Sequence, residues 1–210
     1  MLHQSAKLAK FLLEIKAIKL SPSEPFIWTS GIASPIYCDN RLVLSFPEVR
    51  DFVAEALADI ILSEFNEVDR IAGIATAGIA HGVLCADRLK KSYCYVRPEP
   101  KKHGLKNQVE GLILEGDKVV LIEDLISTGK SSMQAIEGVR KEGGEVIGLV
   151  SLFNYGFEEA KNRFEAENIK VVSISNFDVL CDVAASEGFI ASEDIEKIKS
   201  FAKNPKEWNN

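Results

Sequence analysis

The apolar run VVLIEDLISTGKSS, at 119 to 132, delivers two adjacent acids, Glu123 and Asp124, and then a turn rich in hydroxyls. Ser127, Thr128, Gly129, Lys130 and Ser131 follow at once, where the pattern predicts that a helix begins. Free backbone N–H groups at a helix start, backed by the helix dipole, can hold a phosphate, and a glycine lets the backbone approach it closely. Two carboxylates beside such a site would repel a ligand that was phosphate alone. They suit a ligand with a phosphate at one end and a sugar diol at the other. A purely structural role, with Glu123 and Asp124 capping the turn, leaves the hydroxyl–glycine cluster unexplained. The GKS triplet also raises a nucleotide-binding P-loop, G-x-x-x-x-G-K-[ST], but Asp124 stands where its first glycine is required. That loop is excluded.

A second chemical stretch is RPEPKKHG, at 97 to 104, inside a segment running to Gly111 that is nearly devoid of hydrophobic pattern. Connections of this length in a compact domain are usually lids, binding loops or disordered segments. Residues 97 to 106 carry Arg97, Lys101, Lys102 and Lys106 against Glu99, a charge of +3 within a chain of −6, so the remainder stands at −9. A flexible cationic loop can close over a small polyanion and exclude water.

These residues carry a family resemblance. The stretch 119 to 132 resembles the ribose-phosphate signature of the type I phosphoribosyltransferases, an apolar strand, two acids and a hydroxyl- and glycine-rich turn. RPEPKKHG is similar to the mobile catalytic loop of the orotate phosphoribosyltransferases, and Arg97, Lys101 and His103 match its Arg, Lys and His in order. SGIASPIYCDNR (30 to 41) resembles the amino-terminal cap of those enzymes, and GIATAGIAHG (73 to 82) their pyrophosphate loop, so the likeness spans most of the chain.

The resemblance implies transfer of ribose 5-phosphate from phosphoribosyl pyrophosphate (PRPP) to orotate, releasing pyrophosphate in pyrimidine biosynthesis. Lys101 and Asp124 are the implied catalytic residues. Lys101, Arg97 and His103 would hold the leaving group, and Glu123 and Asp124 the ribose. The stretch Leu125, Ile126, Ser127, Thr128, Gly129, Lys130 and Ser131 would hold the 5′-phosphate end, with Ser127 also donating to orotate. Mg²⁺ is the implied cofactor, held mainly through substrate oxygens, with Asp124 as its candidate protein contact. A homodimer that shares loop 97 to 111 across subunits is implied as well. Two departures stand out. Thr76-Ala77-Gly78 occupies a position where some members have a lysine, and Asn154-Tyr155 one where some have an arginine for the base. The partner of the orotate carboxylate is therefore open, with backbone amides of residues 30 to 35 as a substitute.

Two rivals share parts of the pattern. A purine phosphoribosyltransferase would share 119 to 132 but neither the cap nor the R-x-x-x-K-x-H loop. A PRPP-sensing regulator would need a nucleic-acid surface, which the charge of −6 and the lack of a helix-turn-helix extension disfavour.

The elements that must position these residues follow from periodicity. Helices are predicted over 3 to 18, 47 to 64, 78 to 90, 130 to 142, 157 to 167, 177 to 186 and 191 to 202. Strands are predicted at 70 to 75, 93 to 96, 118 to 122, 146 to 153 and 170 to 175, with a short one at 36 to 38. Their alternation predicts an α/β fold: an open, mostly parallel sheet with helices on both faces. The first 45 residues fall outside the alternation and are expected to form a cap over the base pocket, with 46 to 210 as the core. His81 is expected to be structural and His3 to lie on the surface; Trp28 suits either the base pocket or packing in the cap.

Composition bounds the rest. With 210 residues, 46% hydrophobic and 27% charged, the chain is long enough to bury a core without metal or disulfide staples. The cysteines at 38, 85, 94 and 181 form no C-x-x-C pair, which points away from zinc and toward a reducing cytoplasm. The first 20 residues are interrupted by charges and suit neither a signal peptide nor a membrane span. No nucleic-acid or membrane partner is expected.

Overall fold

The structure, a computed structural model, describes residues 2 to 28, 31 to 99, 108 to 205 and 207 to 208. Six strands build the main sheet: β5 (Arg70–Ile74), β6 (Ser92–Val96), β7 (Val109–Glu110), β8 (Lys118–Ile126), β9 (Glu145–Asn154) and β10 (Val171–Asn176). Their order is β10-β9-β8-β5-β6-β7, and only the edge pair β6–β7 is antiparallel. The predicted α/β fold, with its mostly parallel sheet, is what the chain adopts.

Helices α1 (Leu2–Glu14), α2 (Pro47–Glu64), α3 (Gly78–Leu89), α6 (Phe177–Ser186) and α7 (Ile195–Lys203) bury one apolar layer with strand residues such as Val120, Ile122 and Val150. Helices α4 (Lys130–Lys141) and α5 (Glu158–Ala166) bury a second layer with Val119, Leu121 and Leu149. Val119 to Ile122 alternate between the two layers, as residues of a strand covered on both faces must. Strand β5 is buried along its whole length for the same reason.

Three departures from the predicted elements bear on the site. The first helix stops at Glu14 instead of 18, because Ile18–Leu20 (β1) pairs antiparallel with Ile36–Cys38 (β4) and buries Ile18. Local helical pattern loses there to main-chain pairing with a distant segment. Strand β8 continues through both acids to Ile126, because its ladder with β9 still pairs Glu123 with Ser151 and Leu125 with Phe153. The two-residue β7, where a loop is predicted, is too short for any periodicity to reveal.

Beside the main sheet, β2 (Phe26–Ile27) pairs antiparallel with β3 (Ala33–Ser34), while β1 and β4 bury Ile18 and Ile36 in the first apolar layer. Helix α1 joins that layer. Leu8, Ala9 and Leu12 lie in the same core layer as α6 and α7, and Lys10 pairs with Glu187 at 2.7 Å. No helix among the described residues is long and apolar enough to cross a membrane.

Candidate active site

Strands β5 and β8 are sheet neighbours whose connections diverge, α3 leading to one side and α4 to the other layer. The carboxyl ends of such a pair open the crevice in which parallel sheets bind ligands. Here that crevice is a cavity of about 340 Å³ lined by Ala75, Thr76 and Ala77 after β5, by Glu123, Asp124 and Leu125 on β8, and by Ser131 on α4. Cys38, Asp39 and Arg41, at and just after the end of β4, complete its lining.

Glu123 is only 5% exposed. One carboxylate oxygen accepts from the Asp124 amide at 3.2 Å, and the other accepts from the Ser131 and Ser132 hydroxyls at 3.4 Å each. Burial, then the neighbouring Asp124 charge, pushes the Glu123 carboxyl well above the ordinary range. Asp124 is also raised, chiefly by burial. Two adjacent carboxyls, one buried and one half-buried, are costly to ionise together, so a cation or hydroxyl donor placed between them would be favoured.

Helices α3 and α4 both begin at this crevice, and neither has a side-chain cap on its first amides. Uncapped N–H groups and the positive helix ends make the crevice receptive to anions. The geometry depends on glycine at two points. Gly129 takes φ 74°, and a Cβ there would stand 3.0 Å from the Phe164 ring. At Gly78 a Cβ would collide with the Ile122 carbonyl, so only glycine lets α3 start this close to β8.

A second cavity of about 370 Å³ adjoins the first through Cys38 and Leu125. Its walls are Ile27, Trp28, Tyr37 and Tyr155, with Ser127 at one side. The Trp28 and Tyr155 rings lie 5.5 Å apart, and the Trp28 Nε1 donates to the Ile36 carbonyl at 3.1 Å. Trp28 therefore both lines this cavity and packs against its neighbours. A mostly apolar, aromatic-walled cavity, here called the slot, beside an acidic, anion-receptive crevice can take a ring joined to a sugar phosphate.

The remaining predicted residues are placed as follows. Thr128 and Lys130 are exposed, while the Ile126 side chain is buried in the core, so only its backbone can meet a ligand. Arg97 directly follows β6, where its guanidinium pairs with Glu110 at 3.3 Å and its amide donates to the Gln108 carbonyl at 2.9 Å. Lys101 and His103 lie outside the described residues. Among the amides of residues 30 to 35, that of Gly31 already donates to the Trp28 carbonyl at 2.8 Å. His81 is fully buried, with neither ring nitrogen bonded, and burial lowers it to about 4. His3 is exposed.

Asn40 is a residue that sequence reasoning passed over. It is 1% exposed, donates through Nδ2 to the Asp124 carbonyl at 2.8 Å, and accepts from the Cys38 thiol at 3.2 Å. This bridge ties the turn after β4 to the end of β8. The only signal was its place in the motif Asp39-Asn40-Arg41, polar residues in an otherwise apolar stretch.

The oxygen donors of Asp124 and Glu123 fit Mg²⁺, a hard cation that prefers carboxylate, hydroxyl and phosphate oxygens. No group of three or more His, Cys, Asp or Glu side chains among the described residues forms a dedicated cage.

Residues 43 to 184 match the model of the phosphoribosyl transferase domain, and the chain belongs to the phosphoribosyltransferase family. A relative from Listeria monocytogenes, named orotate phosphoribosyltransferase, is 50% identical over 202 residues, covering 96% of this chain and 97% of its own. The crystal structure of orotate phosphoribosyltransferase from Aeropyrum pernix superposes with a TM-score of 0.75 at 29% identity, covering 88% of this chain and 99% of that one. The structure of Leishmania donovani UMP synthase gives 0.80 at 27% identity, covering 94% of this chain and 42% of that longer one.

Proposed function

We propose that the chain is an orotate phosphoribosyltransferase, a pentosyltransferase that joins orotate to the ribose 5-phosphate of PRPP and releases pyrophosphate, in pyrimidine biosynthesis. The observation that carries this reading is the junction of the two cavities, in which Leu125 and Cys38 stand between an aromatic slot and the acid pair. A base in the slot lies beside a ribose on Asp124 and Glu123. The glycosidic bond then forms where the two cavities meet.

Departure of pyrophosphate leaves positive charge on the ribose, and the buried carboxylates are fixed in place to stabilise it. In this reading Asp124 and Glu123 bind the ribose hydroxyls, and residues 125 to 131 bind the 5′-phosphate at the start of α4. Ser127, which lines the slot, donates to orotate. Lys101, Arg97 and His103 act on the leaving group, with Lys101 and Asp124 as catalytic residues. Mg²⁺, when bound with PRPP, neutralises pyrophosphate charge. The segment before residue 46 caps the base pocket, the rest is the catalytic core, and two copies form a homodimer sharing loop 97 to 111. Four free cysteines, three of them buried, suit a reducing cytoplasm.

The test is orotate consumption followed by absorbance, with PRPP and Mg²⁺, beside parallel reactions with hypoxanthine and adenine. Turnover of orotate alone is expected. Turnover of a purine without orotate would replace the reading with that of a purine enzyme.

A further inference from the structure

The acid cavity needs positive charge if it is to hold pyrophosphate, and its own loop supplies none. Ala75, Thr76 and Ala77 line it without a cationic side chain. One cation among the described residues does line it, and it comes from a different element. Arg41 follows Asn40 in the short turn Asn40–Ser45, so the Asn40–Asp124 bridge fixes its root beside the acids. Its Nε donates to Asp39 at 2.6 Å, while the side chain remains 65% exposed.

We infer that Arg41 binds the pyrophosphate end of PRPP, providing from the turn after β4 the cation that Thr76-Ala77-Gly78 does not provide. This inference rests on the proposed transferase reading. A guanidinium presents a planar fork that matches phosphate oxygens in pairs, and the bond to Asp39 engages only Nε, leaving the donors of both Nη groups for a ligand. The ion pair with Asp39 is a surface pair of little net worth, so a polyanion can compete for the guanidinium. Asp39 thereby acts as a parking partner, and Arg41 also offsets the negative charge of Asp124 across the cavity.

The test uses the full chain, with steady-state kinetics and calorimetric titration of pyrophosphate in the presence of Mg²⁺. Arg41→Ala is expected to raise KM for PRPP and Kd for pyrophosphate about tenfold or more, the cost of losing hydrogen bonds to a charged group. KM for orotate and Tm should stay unchanged. Arg41→Lys should recover part of the loss, since charge is kept and the fork is not. Asp39→Asn should move KM for PRPP downward, because it frees the guanidinium and removes a competing anion. Unchanged pyrophosphate affinity in Arg41→Ala would overturn the inference, as would an equal rise in KM from Asp39→Asn. A wild-type chain that neither consumes orotate nor binds pyrophosphate would instead defeat the transferase reading itself.

Discussion

The two adjoining cavities are nearly equal in size, about 370 and 340 Å³, yet they are built on opposite principles. The slot is walled by Ile27, Trp28, Tyr37 and Tyr155 and selects by shape. Its rigidity comes from behind: Tyr155 stacks on Phe157 at 5.2 Å, and Trp28 meets Phe201 edge-on at 5.5 Å. The acid crevice selects by charge, setting Glu123, Asp124 and Asp39 against Arg41 and two uncapped helix starts. A ligand that is a flat ring at one end and a phosphorylated sugar at the other needs both. Because the two principles are separate, substitutions should separate them as well.

The largest effect is expected at the acids. Asp124→Asn should lower kcat by two orders of magnitude or more, the scale of losing one fixed electrostatic contact to a charged transition state. The same variant should be more stable at neutral pH. Burial raises the folded carboxyl, so the unfolded chain releases that proton at lower pH than the folded one does. Stability therefore falls as pH rises through that window, and a neutral isostere removes the fall. Calorimetry across pH 3 to 8 should show Tm curves that coincide in acid and diverge toward neutrality; a variant less stable at neutral pH would refute a burial cost on the Asp124 carboxylate.

On the aromatic side, Trp28→Leu should raise KM for orotate about tenfold, the scale of one stacking contact to a base, with KM for PRPP within twofold. Equal rises in both constants would mean that slot and crevice act as one site. Asn40→Ala tests the junction. Leaving the Asp124 carbonyl unpaired should raise both constants several-fold, since the bridge holds the slot wall and the acid strand together. A change in the orotate constant alone would confine Asn40 to the slot.

The smallest effect on turnover is expected from His81, which serves as a control for pH. Burial depresses it to about 4 from 6.5, so its stabilising contribution is complete above the unfolded value and is lost as pH falls from 6.5 to 4. His81→Phe should abolish an acid-side loss of about 3 kcal/mol while leaving kcat at pH 8 unchanged. An acid limb that survives in this variant would belong to other groups.

Much of this was legible in the sequence where the signal is local. The continuous run at 118 to 122 announced a strand covered on both faces, and acids followed by hydroxyls and glycine announced what lies at its end. What was not legible depends on partners far along the chain. Strand β8 runs past its acids because β9 continues to pair with it, and β1 forms because a segment near residue 37 comes to meet it. The slot joins Trp28 to Tyr155, and Asn40 reaches across 84 positions to Asp124; no spacing encodes such meetings. Arg41 was visible as a charge, but only the fold shows which cavity it borders.

Helix α1 is stitched to the far end of the chain, with Ser5 bonded to Ser175 across 170 positions and Lys10 to Glu187 across 177. On a ribosome adding about 5–20 residues per second, α1 emerges on the order of ten seconds before its docking surface exists. Throughout that interval the stripe of Leu8, Leu12 and Leu13, buried in the finished protein, lacks α6 and β10, and only earlier elements such as α2, which meets α1 at Phe11 and Phe52, can shield part of it. Helix α1 is thus made well before the helix it docks on, and its apolar face must be kept from other nascent chains until α6 arrives.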